Sequence, residues 1–283
     1  MTNYENAKAL EGLTLGKSTD YASEYNPNLL QGVPRSLNRE QINLSGQSLP
    51  FYGEDVWYGY ELSWLNSKGK PVVAVAEFRV PATSENIVES KSFKLYLNSF
   101  NQSRFATRED VIERLIKDLS EIAKAPVKVT LFDVDNCPAL NIKHLEAICI
   151  DECDIAVDDY QFDDTLLDDI HITQAPIVEE VLVSHLLKSN CLITNQPDWA
   201  SVYISYQGKQ VNRQALLAYL ISFRQHNEFH EQCVERIFCD LQKYGQFDKL
   251  SVYARYTRRG GLDINPFRST ENITAPNART LRQ

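Results

Sequence analysis

The sequence predicts an α+β protein made of two tandem modules, on three observations. Segments with the two-residue alternation of strands outnumber those with a helical period. They arrive in the order strand, strand, helix, helix, strand, strand, and the chain of 283 residues runs through that order twice. With 43% hydrophobic residues it can bury a sizeable core, and its length suits two domains of average size.

In the first half, "DVWYGYELSWL" (55–65) places Val56, Tyr58, Tyr60, Leu62 and Trp64 on one face, and "PVVAVAEFRV" follows after the turn "NSKGK", which predicts a hairpin. "REDVIERLIKDLSEIAK" lines up Val111, Ile112, Leu115, Ile116, Leu119 and Ile122 on one helical face, and "VKVTLFDV" and "LEAICIDECDI" return to strand. In the second half "IVEEVLVSHLL" and "SVYISYQG" read as strands and "NRQALLAYLISFRQ" and "EFHEQCVERIFCDLQKYG" as helices; "LSVYARYTRRG" and "GLDINPFRS" are strands again. The acidic stretch "DDYQFDDTLLDDIHITQAP" (158–176), closed by a proline, reads as the junction between modules at 1–165 and 176–283. Antiparallel sheets with helices on one face leave edges to cover, so a homo-oligomer is expected.

Charge and apolar runs exclude several classes. A net charge of −9 leaves no basic footprint for a phosphate backbone, so no direct nucleic-acid partner is expected. The first twenty residues hold no apolar signal-like run and no window approaches eighteen apolar residues, so the expectation is a cytoplasmic protein without a membrane span. Six cysteines are too sparse for a disulfide scaffold and read as reduced thiols.

Familiar ligand motifs fail. "EGLTLGKST" ends like a phosphate-binding loop, but Glu11 stands where its first glycine is needed. None of the eleven glycines falls in a G-x-G-x-x-G pattern. Cys149 and Cys153 have no second ligand pair at metal spacing, and "HNEFH" lacks the glutamate directly after its first histidine that a zincin helix requires, so no metal is expected.

Two clusters remain. Cys191 ends one strand and Asp198 opens the next after a short turn, so pairing would bring thiol and carboxyl to one end of a sheet; taken alone, they also suit a buried structural cysteine and a turn aspartate. Asn227 reads as the N-cap of the last helix, placing Glu228, His230 and Glu231 in its first turn, where simple capping is the plainer account.

"VESKSFKLYLNSF" (88–100), "SHLLKSNCLITNQPDW" (184–199), "FHEQCVERI" (229–237) and "YTRRGGLDINPFRS" (256–269) closely resemble the NADPH-dependent 7-cyano-7-deazaguanine reductases of queuosine biosynthesis, a tRNA-modification pathway, in their two-module form. The resemblance covers nearly the whole chain, including "LTLGKSTDY" and "LLQGVPRSLNR", and is weakest in the acidic stretch. It implies tandem ββααββ tunnelling-fold modules in a homodimer with active sites at module interfaces, and reduction of a nitrile to a primary amine by NADPH. It also implies Cys191 as nucleophile and Asp198 as general acid, with His230 assisting a later proton transfer. Val88, Glu89, Ser90, His230 and Glu231 would contact the deazapurine, and Ser90, Lys91, Arg259 and Gly260 the NADPH. Three other readings compete: a nitrilase-like thiol hydrolase, a non-redox purine- or pterin-handling relative, and a non-catalytic deazapurine-binding module.

Overall fold

The structure, a computed structural model, describes residues 21–44, 48–277 and 279–283. Apart from Tyr21, the "LTLGKSTDY" segment and the loop-like "EGLTLGKST" lie outside those residues. The chain separates into two compact units. One comprises the described residues within 1–47, 55–141 and 258–263, and the other those within 48–54, 142–257 and 264–283.

The first unit contains β1 (Gly32–Pro34), α1 (Ser36–Arg39), β2 (Tyr52–Leu65, from Asp55 on), β3 (Pro71–Pro81), β4 (Asn86–Val88), α2 (Ser90–Asn98), α3 (Arg108–Ala123) and β5 (Lys128–Phe132). β1 and β4 form a small antiparallel pair, while β3 lies between β2 and β5. The mid-strand of β2 is buried on both faces. Trp57, outside the alternating set, packs edge-on against Phe93 of α2 with ring centroids 5.4 Å apart, and Phe93 in turn meets Phe78 of β3 at 4.9 Å. α3 opens with a reciprocal capping box between Thr107 and Asp110. Its buried stripe is Val111, Leu115, Asp118, Leu119 and Ala123, so Ile112, Ile116 and Ile122 lie toward its edge. Asp118 is buried because Tyr25 and Tyr96 each donate a phenolic hydrogen bond to it, at 2.6 and 2.7 Å.

The second unit holds β6 (Ile148–Cys149), β7 (Ile177–Asn190), β8 (Pro197–Lys209), α4 (Arg213–Ser222), α5 (His230–Gly245), β9 (Lys249–Tyr256) and β10 (Leu262–Ser269, from Ile264 on), with its strands ordered β10-β9-β8-β7-β6. β7 with β8, and β8 with β9, pair antiparallel. β6 differs from the expectation twice: only two residues of "LEAICIDECDI" form a ladder, and that ladder is parallel to β7. The acidic stretch 158–176 also packs inside this unit. Phe162 sits among Tyr219, Phe223 and His226, Leu167 and Ile170 are buried, and Asn212 N–H donates to the Ile170 carbonyl. Its apolar residues at 162, 167 and 170 attach it to α4 and α5, which the charge pattern alone does not reveal. Among the described residues no helix is long and apolar enough to cross a membrane.

Candidate active site

In the second unit, the β7–β8 hairpin positions the thiol and the carboxyl. Ser189 pairs with Asp198 and Asn190 with Pro197; beyond them Cys191 N–H donates to the Gln196 carbonyl at 2.8 Å, closing a turn in which Asn195 takes the left-handed conformation (φ 57°). Ser189 and its cross-strand partner Asp198 share one face of the hairpin, and Cys191 follows directly after the last residue of β7. Cys191 is half-buried and Asp198 buried.

His230 joins them as the first residue of α5. Its Nε2 lies 3.3 Å from Asp198 Oδ2, with the two side chains only 12% and 5% exposed. The imidazole stacks on Tyr256, ring centroids 3.8 Å apart and planes 5° from parallel. Tyr256 pairs with Ala200 across the β8–β9 ladder, two residues along from Asp198. Burial pushes the Tyr256 phenol far above its ordinary range, and the neighbouring Cys233 adds to the shift; the ring is a neutral platform that fixes the imidazole plane. Sequence reading missed Tyr256. Only its place in "YTRRGG", inside one of the family-like segments, pointed toward it.

Asn227 does not cap α5. Phe229 is the N-cap residue, without a side-chain cap, and helical geometry begins at His230. Asn227 instead hydrogen-bonds Asn190 and Asn195, while Glu228 turns inward to a buried ion pair with Arg236, Nη2 to Oε1 at 2.8 Å. This anchors the segment beside Cys191, because Asn190 N–H donates to the His226 carbonyl and Glu228 N–H to the Asn190 carbonyl. Burial pushes the Glu228 carboxyl up, but Arg236 and His226 outweigh it and hold the group below its ordinary value. A depressed carboxyl stabilises the fold above its unfolded pKa, and that contribution fades as pH falls through the folded value. Glu228→Gln should therefore cost about 3–5 kcal/mol near pH 7, because it strands the buried Arg236, and should flatten the acid limb of stability. Urea melts of both proteins at several pH values check this, and parallel pH profiles would refute it. Glu231 is buried in the first turn of α5, where a helix N-terminus favours an anion.

The other predicted residues belong to the first unit. Val88 ends β4 and pairs with Gly32. Glu89 caps α2, its two carboxylate oxygens accepting from Lys91 N–H at 2.8 Å and Ser92 N–H at 2.7 Å. Ser90 and Lys91 form the first turn of that helix. Arg259 N–H donates to the Leu262 carbonyl, and Leu262 N–H returns a bond to Arg259. Gly260 and Gly261 between them have φ of +52° and +75°, as a type I′ hairpin turn demands. The turn docks on β2: Tyr60 N–H donates to the Gly261 carbonyl at 2.9 Å, and the Arg258 guanidinium lies 4.2 Å from the Tyr60 ring centroid. A cavity of about 220 Å³ opens there, lined by Glu61, Lys94, Asn98, Gly260 and Gly261 among others. A Cβ on Gly260 would come within 3.1 Å of the Lys94 side chain, so glycine keeps the backbone approachable. Lys94, one helical turn from Lys91, is a second residue that sequence reading passed over, although its i, i+3 spacing was visible. Lys94 lines this cavity, Lys91 lies one helical turn earlier on α2, and Arg258 and Arg259 lead into the Gly260–Gly261 turn.

Comparison with known proteins gives the family. A family model described as nitrile reductase, 7-cyano-7-deazaguanine-reductase N-term, matches residues 21–131, and one described as QueF-like protein matches residues 197–275. An NADPH-dependent 7-cyano-7-deazaguanine reductase of Colwellia psychrerythraea is 66% identical over the full length of both chains. This chain belongs to the 7-cyano-7-deazaguanine reductase family. Within that family assignment, Asp198, His230, Glu231, Arg259 and Gly260 fall in the second matched span and Val88 to Lys91 in the first, whereas Cys191 stands between the two. A solved archaeosine synthase QueF-Like in the apo form aligns with 35% of this chain and 96% of its own, at 14% identity and a TM-score of 0.29.

Proposed function

We propose that the chain is an NADPH-dependent oxidoreductase that reduces the nitrile of 7-cyano-7-deazaguanine to the primary amine, 7-aminomethyl-7-deazaguanine, through a thioimide on Cys191. The observation that carries this reading is a half-buried thiol at the end of β7, in the turn of the hairpin whose other strand opens with a buried carboxyl that is itself 3.3 Å from an imidazole. In this account the two compact units are the tandem tunnelling-fold modules, the protein works as a homodimer in the cytoplasm, and its product serves queuosine synthesis.

A nitrile carbon accepts hydride poorly because the charge would land on an unprotonated nitrogen. Addition of the Cys191 sulfur to that carbon forms a C–S bond and consumes one C–N π bond, while the thiol proton passes through Asp198 to the nitrogen. The resulting protonated thioimide is the better acceptor. NADPH supplies hydride, two equivalents for the four-electron change from nitrile to amine. Once the thioimide carbon is reduced, expulsion of Cys191 as thiolate leaves an imine, whose nitrogen takes a further proton from the Asp198–His230 pair. Glu89 and Glu231 are acceptors for the N–H groups on the pairing edge of a guanine-like ring, and Val88 and Ser90 complete that contact. Ser90, Lys91, Arg259 and Gly260 hold the NADPH phosphates, joined by Lys94.

NADPH should be strongly preferred over NADH. Arg259→Ala should raise KM for NADPH about 10- to 100-fold, the loss of one charge-assisted contact, while leaving KM for the nitrile nearly unchanged. Equal kcat/KM for the two nucleotides would contradict this. The reaction itself is tested by counting NADPH oxidised per amine formed: the proposal requires two, whereas an amide or acid product with no NADPH consumed would establish the thiol hydrolase.

A further inference from the structure

A second cluster of chemically active side chains lies elsewhere in the second unit, at the edge where β6 meets β7. Cys149 Sγ, a carboxylate oxygen of Asp151 and one imidazole nitrogen of His185 all lie within 4.8 Å of one another. The parallel ladder pairs Cys149 with Val183, and Ile150 N–H donates to the Val183 carbonyl, which carries Asp151 alongside His185. On the other side of β7 the register breaks: Ser184 pairs with Val202 and Leu187 with Ala200, so His185 and Leu186 stand opposite the single Ser201. That is a β-bulge, a feature that re-aims a side chain.

The bulge is locked from both sides. Asp151 accepts a hydrogen bond from Ser184 Oγ at 2.7 Å and from the His185 N–H at 2.9 Å, which orients its carboxylate. His185 Nδ1 lies 2.8 Å from Ser201 Oγ, which orients the ring. Ligands oriented by such outer contacts are characteristic of metal centres.

We propose that Cys149, Asp151 and His185 form a zinc-type site, separate from the Cys191 centre, with three protein ligands and a fourth position open. Thiolate, imidazole and carboxylate together select a borderline divalent ion. Zinc bonds of about 2.0–2.3 Å place tetrahedral ligand atoms roughly 3.3–3.8 Å apart, so a small rotation of the exposed Cys149 side chain closes the set. The ion would staple to β7 a strand otherwise held by a ladder of two residues. Sequence spacing conceals the site because His185 stands 34 residues beyond Asp151 and reaches it only through the β6–β7 pairing.

Cobalt titration of the chelator-treated full chain tests the proposal, because a thiolate ligand gives Co²⁺ a near-ultraviolet charge-transfer band. The expected result is one equivalent of Co²⁺ per chain with that band, displaced by one equivalent of Zn²⁺. The band should disappear in Cys149→Ser and persist in Cys191→Ala and Cys153→Ser. His185→Gln and Asp151→Asn should each weaken Co²⁺ binding by about tenfold or more, and they carry the test should Cys149→Ser fail to fold. No band at equimolar cobalt, a band that survives Cys149→Ser, or one lost in Cys191→Ala would overturn the assignment.

Discussion

Cys191→Ala is expected to form no amine and no covalent adduct while still binding the nitrile. Every covalent step passes through the Cys191 sulfur, and loss of a nucleophile that works in concert with its proton-transfer partners costs on the order of 10⁶ in kcat in a well-measured covalent enzyme. Binding should persist because Glu89, Glu231 and His230 are separate groups. Two internal controls sharpen the result. Cys233 is fully buried, and burial, reinforced by Glu228, pushes its thiol far up; burial raises Cys239 to about 12, with Glu235 adding to it. Neither is a thiolate near neutral pH, so Cys239→Ser and Cys233→Ser should keep both adduct and turnover. Activity assays with isothermal titration of the nitrile check all three variants, and amine formation by Cys191→Ala would contradict the assignment.

The next largest effect is expected at Asp198. Asp198→Asn keeps the shape of the side chain but removes the atom that takes and returns the thiol proton, so thioimide formation and turnover should slow by roughly 10²–10⁴. Asp198 lies inside a long antiparallel ladder with its partner Ser189, and the substitution should leave thermal stability close to wild type. Stopped-flow measurement of adduct formation separates this chemical defect from a folding defect. Near wild-type rates would remove Asp198 from the mechanism.

Much of the fold was legible because long strands and amphipathic helices repeat their period many times. β7, β8 and α5 lie where alternation and the 3.6-residue stripe placed them. What escaped depends on partners distant in sequence. β6 is a two-residue parallel ladder, too short to carry a period, and exists because β7 runs beside it. The cap of α5 was misread because Asn227 is a good local cap former, yet the buried pairing of Glu228 with Arg236, eight residues on, draws the chain inward and delays the helix to His230. In β2 the alternating set was visible, but not the burial of Trp57 against α2 on the opposite face. The candidate site followed the same rule. Cys191 and Asp198 were close in sequence and joined by a recognisable turn, whereas the Tyr256 platform beneath His230 required the β8–β9 register.

The claim on which the whole account rests is that Cys191 bonds to the nitrile carbon. Incubating the wild-type protein with 7-cyano-7-deazaguanine in the absence of NADPH, then recording its intact mass, tests this directly. The account predicts one added substrate mass per chain, mapped after digestion to the Cys191 thiol within "SNCLITNQPDW" and discharged as amine when NADPH is supplied. An unmodified chain, or an adduct on any other cysteine, would contradict it.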